Sequence, residues 1–214
     1  MLTRTHITIL LLGAMAVWAA ALGVLGLPVT WEYSKPFTIT VAALSIACFA
    51  FDRWIWKWPL IRPWLSRLPD LNGTWKVTLQ SDWINPATQQ GIAPIECVMT
   101  IRQTYSELSA RLFTAESSSF AVSQKIVREN DGVFQFFATY RNTPDITLRG
   151  KRSEIHFGAF VLEVRGEPAV SLVGHYWTDR GTKGSLLLSD RIPKLLTSYQ
   201  EGVEQFALAP KPTA

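Results

Sequence analysis

The side chains best suited to chemistry fall in three short clusters: Tyr140-Arg-Asn142, His156-Phe-Gly158 and Tyr176-Trp-Thr-Asp-Arg180. Aromatic faces suit stacking on a nucleobase, and an asparagine amide matches a base edge. A guanidinium with threonine hydroxyls neutralises and hydrogen-bonds phosphate. The set fits a nucleotide-sized anion better than a fatty acid, although any polar small molecule uses the same groups. Each position also has an ordinary structural role. Tyr140 and Tyr176 suit a barrel wall with their hydroxyls in water, and His156 suits a hydrogen-bonded structural position. Arg180 and Lys183 suit a solvated hairpin tip, and Gly158 and Gly174 suit strand bends. What separates the two readings is whether these residues converge on one mouth.

Catalytic motifs are absent from the sequence. There is no G-x-S-x-G elbow, no G-x-x-x-x-G-K-[ST] loop, no H-E-x-x-H, and no G-x-G-x-x-G after a strand. The three histidines, His6, His156 and His175, lack closely spaced partners for a metal. Cys48 sits in an apolar stretch and Cys97 in a β-rich one, so neither a disulfide nor a metal cluster is expected. Glu163 and Glu167 flank a turn and read as surface charge. Binding is therefore favoured over catalysis, with no enzyme activity and no cofactor.

The elements that must position these clusters are strands. Period-2 alternation and turn residues give eight: 73–80, 94–102, 105–114, 119–129, 133–141, 154–165, 170–179 and 184–190. Asn130-Asp-Gly132 is a strong hairpin signal, with weaker ones at Gly166-Glu-Pro168 and Arg180-Gly-Thr-Lys-Gly184. Short connections imply an up-and-down meander, and eight strands close into a barrel because closure removes the unpaired edges. A β-sandwich is the structural rival. In the barrel, loops 81–93, 114–119, 142–153 and 180–183 gather at one mouth. Phe134, Phe136, Ala138, Tyr140 and Asn142 share a face that turns from apolar to polar toward that mouth. Leu172, Gly174, Tyr176 and Thr178 repeat the gradient, and His156 shares a face with Gly158 and Phe160. A barrel of this size holds side chains or one small ligand. The missing bulk at Ala138, Gly158 and Gly174 points to a ligand. Arg102, Gln103 and Tyr105 fall at the opposite turn.

Ahead of the strands lie two apolar stretches, Ile7 to Val29 and Phe37 to Trp56. The first carries no charge and is long enough to cross a hydrocarbon layer of ~30 Å at ~1.5 Å per residue. The second is uncharged from Phe37 to Phe51 and reaches that length with Asp52 and Arg53 at the interface. The first stretch also has a signal-peptide reading, with Arg4 as its basic flank, but it is longer than the apolar part of such peptides. The connection 30–36 carries one Lys. Arg4 precedes the first stretch, and Arg53, Lys57, Arg62 and Arg67 follow the second. This asymmetry places both ends of the hairpin in the cytoplasm. With so much basic charge beside the membrane, the net charge of +4 is weak support for nucleic acid, and no DNA or RNA partner is expected. The expected organisation is a two-helix transmembrane hairpin with a basic segment over 1–68, a β-barrel sensing domain over 69–193, and a tail over 194–214. In that tail Leu195 to Leu208 forms a short helix.

The order of these parts resembles the SMODS-associating two-transmembrane, β-strand-rich effectors of CBASS anti-phage systems. The resemblance is carried by the two apolar helices, the basic segment, Asp70-Leu-Asn-Gly-Thr-Trp75, Tyr140-Arg-Asn142 with Pro144, His156-Phe-Gly158, and Gly174-His-Tyr-Trp-Thr-Asp-Arg180 leading to Gly184. It implies a compact eight-stranded, lipocalin-like antiparallel barrel anchored by two N-terminal transmembrane helices. That barrel senses a cyclic oligonucleotide, expected to be a cyclic dinucleotide, made by a partner nucleotidyltransferase (CD-NTase) that forms no stable complex with it. The implied contacts are Tyr140, Asn142, His156, Tyr176, Thr178 and Arg180. The implied output is homo-oligomerisation on activation and disruption of the bacterial inner membrane, ending in abortive infection. Two alternatives come from other classes. One is a membrane-tethered lipocalin-like carrier of an apolar ligand, suggested by Gly73-Thr-Trp75; the other is a module that recruits a protein through the barrel wall.

Overall fold

The computed structural model describes residues 4–28, 30–60, 67–86, 88–149 and 153–208; in the two N-terminal helices it describes side chains at 8 and 11–24 and at 39 and 41–53. The chain divides into two compact units, residues 1–67 with 104–107 and residues 68–103 with 108–214.

In the first unit, helices α1 (Arg4–Val24) and α2 (Trp31–Arg53) follow the two apolar stretches. The expected connection over 30–36 is shorter than anticipated. Thr30 is extended, with φ −97° and ψ 162°, and the helix starts directly after it. Among the described residues, no helix is long and apolar enough to cross a membrane. Arg62 of the expected basic segment lies outside the described residues. Asp52, at the end of α2, accepts from the Ser106 N–H at 2.8 Å and the Thr104 hydroxyl at 3.3 Å, while its carbonyl accepts from the Tyr105 N–H at 3.0 Å. The Tyr105 ring meets Phe51 edge-on at 4.9 Å. Tyr105 thus joins the helical unit, and Arg102 is exposed.

The second unit is a closed antiparallel barrel in sequence order, β1-β2-β3-β4-β5-β6-β7-β8. Its strands are β1 (Gly73–Ser81), β2 (Ile95–Gln103), β3 (Leu108–Phe113), β4 (Ser117–Arg128), β5 (Phe134–Pro144), β6 (His156–Arg165), β7 (Ser171–Thr178) and β8 (Lys183–Ile192). The eight-stranded meander read from the sequence is present, and the β1–β8 ladder, with Val77 opposite Leu188, closes it and removes the sandwich. β3 starts later than expected because the Thr104 N–H donates to Glu107 O and turns the chain. The Asn130-Asp-Gly132 signal is the β4–β5 hairpin, closed by the Glu129 N–H on Val133 O.

Alternate residues fill the barrel. Trp75, Phe136, Leu162, Leu172 and Leu188 have no exposed surface. Burying each such side chain contributes about 1.5–3 kcal/mol. Phe136 and Phe160 meet edge-on at 5.2 Å. The Trp75 indole N–H donates to Leu71 O at 3.0 Å, and the Gln103 amide accepts from the Leu71 N–H and donates to Pro69 O. Gln103 therefore fastens the lead-in segment to the sheet.

One ladder is short. β3 and β4 pair only over 111–113 against 118–120. Beyond that point β4 bulges between Ala121 and Ser123, and the Gln124 amide nitrogen donates to Leu108 O in place of a backbone bond. Gln124 Oε1 is buried without a partner among the described residues.

A C-terminal strap runs along the outside of β1 to β3. The Thr74 hydroxyl donates to Lys194 O at 2.7 Å and accepts from the Leu196 N–H at 3.0 Å, and the Thr100 hydroxyl donates to Leu196 O at 2.8 Å. Helix α3 (Tyr199–Phe206) then packs Tyr199, Val203 and Phe206 with Leu208 over Val98 and Phe113. It is shorter than the expected 195–208. Ser198 caps its start by accepting from the Glu201 N–H, and Ala207, in the left-handed conformation, ends it. Hydrogen bonds from Thr197 to the Glu201 carboxylate lower its pKa. Residues 209–214 lie outside the described residues.

Candidate functional site

A cavity of about 610 Å³ opens at the mouth of the barrel. It lies within the size range of small-molecule sites, about 300–1,000 Å³. Its deeper wall carries Leu79, Met99, Leu112 and Leu186, and its upper wall carries polar side chains. All six residues singled out from the sequence line it: Tyr140, Asn142, His156, Tyr176, Thr178 and Arg180. The sequence motifs, scattered over β5, β6 and β7, are brought to one lumen by strand alternation and by the shared direction of their ends.

Two tyrosines define the aromatic surface. Tyr140 is directly opposite Gly158 across β5–β6, and Tyr176 is opposite Gly184 across β7–β8. A β-carbon on Gly158 would stand 2.5 Å from the Tyr140 ring carbon bearing the hydroxyl, and one on Gly184 would stand 2.8 Å from Tyr176 Cε1. Both rings therefore lie across a glycine, which leaves room for the ring to rest against the wall. Tyr140 also stacks on Phe160 at 6.2 Å and 27°. Burial raises the pKa of both phenols. The other tyrosine and Asp179 add to the effect at Tyr140, while a hydrogen bond with Ser81 opposes it at Tyr176. Both are neutral donors at physiological pH.

The rim carries the charge. Arg180 Nη1 is 3.3 Å from His156 Nδ1 and 3.5 Å from Ser153 Oγ. His156 Nδ1 is also 3.1 Å from Glu154 O. Arginine only donates, whereas a carbonyl only accepts, so Nδ1 serves one of these neighbours at a time. Arg180 is thus exposed at the lip on a contact it can leave. The turn beneath it is pinned: the Thr178 hydroxyl lies 2.8 Å from that of Thr182, and Asp179 Oδ2 accepts from the Phe157 N–H.

Several lining residues were missed in the sequence: Thr114, Ser117 and Ser119 at the β3–β4 turn, and Trp83 and Ile92 in the β1–β2 loop. The serines sit at alternate positions of the Ser-Ser-Ser run, and their inward alternation was the available signal. Trp83 sits in a loop whose path no periodicity encodes. Its neighbour Asp82 fixes it to the rim, with Oδ1 accepting from the Lys183 N–H at 2.9 Å. Residues 150–152 of the expected mouth loop lie outside the described residues. Glu163, read as surface charge, is paired with Arg165 at 3.1 Å on an exposed face. Among the described residues, no group of three or more His, Cys, Asp or Glu side chains could hold a metal ion.

A family model described as "Cap15, cyclic dinucleotide receptor domain" matches residues 66–190, more than half of the chain. No curated protein matches it.

Proposed function

The chain belongs to the family of Cap15 cyclic dinucleotide receptor domains, and from that premise we propose that the barrel cavity is the receptor site and that occupancy of the site acts on a membrane through the N-terminal helices. The observation that carries this reading is the shared lumen of two glycine-backed tyrosines with an arginine at its lip. Bases stack on Tyr140 and Tyr176, and a phosphate meets Arg180 beside His156. Asn142 and Thr178 hydrogen-bond the polar parts. The ligand binds without being turned over, in keeping with a receptor. An apolar ligand would make no use of the hydroxyls, amide and guanidinium of the rim, which disfavours the carrier reading.

In the proposed organisation, residues 1–68 form a transmembrane hairpin, 69–193 the sensing barrel and 194–214 an accessory tail. What supports the hairpin is the sequence, in which the stretch Ile7 to Val29 carries no charge. Arg53 at the end of α2 and Lys57 beyond it keep the barrel on the cytoplasmic face of the inner membrane. A ligand shifts an equilibrium only by binding one state better, so occupied barrels self-associate more strongly than empty ones. The helices then rearrange and disrupt the bilayer, as an anti-phage CBASS effector answering a CD-NTase.

The test is calorimetry on the full chain in detergent with a panel of cyclic dinucleotides and a fatty acid, followed by dye release from liposomes carrying the protein. Binding of a cyclic dinucleotide and ligand-dependent release are expected. Binding of the fatty acid alone would reject the site, and release that ignores the ligand would reject the trigger.

A further inference from the structure

One large aromatic side chain at the mouth has no partner ring in the fold. Trp83 lines the cavity, yet it is 40% exposed and its ring stacks on no other ring among the described residues. It is nevertheless held in place. Both ends of the β1–β2 connection, 82–94, are tied to the barrel. The Asp82 N–H donates to Lys183 O and Asp82 Oδ1 accepts from the Lys183 N–H, each at 2.9 Å, and the Gln80 amide donates to Ile92 O at 2.9 Å. The connection thus presents Trp83 from one arm and Ile92, 37% exposed, from the other, both to the lumen.

Trp83 also stands beside a tyrosine of the site. Ser81, Gly184 and Tyr176 occupy one rung of the sheet across β1, β8 and β7. Because Gly184 has no side chain, the Tyr176 ring leans across it, and its hydroxyl is hydrogen-bonded with that of Ser81. The Ser81 hydroxyl accepts in turn from the Trp83 N–H at 3.2 Å. β1 runs toward the mouth, so Trp83 lies beyond this rung on the solvent side. A base resting on Tyr176 has protein against one face and the Trp83 side of the mouth above the other.

We infer that Trp83 is a third stacking contact, which covers the base lying on Tyr176 from the solvent side and slows its release. This rests on the cyclic dinucleotide reading of the cavity. The face of an indole suits a flat, apolar partner and offers nothing to a phosphate, whose place is at Arg180. Every base has a π-face, so Trp83 tightens the hold on the ligand without selecting among bases. Covering a seated ligand acts on its departure more than on its arrival, so the effect belongs to the dissociation rate. It also differs from the contribution of Arg180 in kind, because stacking is not screened by salt.

The experiment is calorimetry and stopped-flow on the full chain in detergent, with cyclic dinucleotides that cover the four ribonucleobases in like and mixed pairs. For the tightest binder, Trp83→Ala should lower affinity about tenfold or more, chiefly through faster dissociation and by a similar factor at low and high salt. Trp83→Phe, which keeps a ring, should recover most of the loss. A second readout is tryptophan emission, which ligand should quench in the unaltered chain by an amount that Trp83→Phe largely lacks. Should Trp83→Ala melt below the unaltered chain, the emission difference decides. Unchanged affinity in Trp83→Ala, a loss confined to low salt, or equal quenching in the unaltered chain and Trp83→Phe would overturn the role of Trp83 while leaving the receptor reading intact. No binding of any of these ligands to the unaltered chain would overturn both.

Discussion

Tyr140 rests on Gly158, its partner in the β5–β6 ladder, so closely that a single added carbon would stand 2.5 Å from the phenol. The ring is held by what its neighbour lacks. Gly158→Ala should push Tyr140 off the wall and crowd the Trp177 carbonyl, also 2.5 Å from the added carbon, lowering ligand affinity about tenfold or more and costing about 1–3 kcal/mol of stability through overpacking. Gly91→Ala, where no atom lies within 4 Å, is the control and should change neither. Calorimetry and thermal melting of the two variants check this, and unchanged affinity in Gly158→Ala would detach the ring from the site.

Arg180 is the charged group at the lip, parked on His156. A hydrogen bond to a charged group is worth about 1.5–3 kcal/mol, so Arg180→Ala should weaken a phosphate-bearing ligand roughly tenfold to a hundredfold. The loss should shrink as salt rises, because an exposed ion pair is screened. Titrations of both proteins at low and high ionic strength supply the comparison. An equal loss at both would mean that Arg180 acts through structure.

Burial holds the Cys97 thiol and the Tyr140 and Tyr176 phenols neutral, with pKa values above the ordinary 9.0 and 10.0. All three are acids that ionise more easily when unfolded. Their contribution to stability is therefore complete below the unfolded values and is lost as pH rises past them. Denaturant midpoints should hold steady up to about pH 9 and then fall, with Tyr140→Phe flattening the part above about pH 10. A midpoint that stays level to pH 11 would contradict the burial of these groups.

The strap contributes stability from outside the lumen. Leu196 is 1% exposed, and its backbone is bonded at both ends to the hydroxyls of Thr74 and Thr100. Leu196→Ala should cost about 2–5 kcal/mol by leaving a cavity. Its effect on affinity, measured where the variant is still folded, should be small.

Much of this was readable beforehand because strand alternation is a strong, local signal. The faces of β5, β6 and β7 were assigned from period 2 alone, and those faces carry Tyr140, His156 and Tyr176 to the lumen. The ends of elements were harder to place. β3 loses its first residues to a tight turn closed by the Thr104 N–H on Glu107 O, a local bond that a period-2 pattern does not signal. Ser119 looked like one polar residue among three. It accepts from the Asn142 amide, 23 residues away in sequence, and only the β4–β5 register joins the two. Trp83 was out of reach because a loop is positioned by its anchors, here Asp82 on the backbone of Lys183.

The brief contact of β3 with β4 gives the cylinder a preferred line of cleavage. Seven of its joints run along most of their strands, while the eighth relies on residues 111–113 and the side chain of Gln124. A hoop with one weak stave spreads there first, and Ser119 lies on that joint, opposite Leu112. A guest seated against Ser119 therefore presses on the place where the wall yields most cheaply.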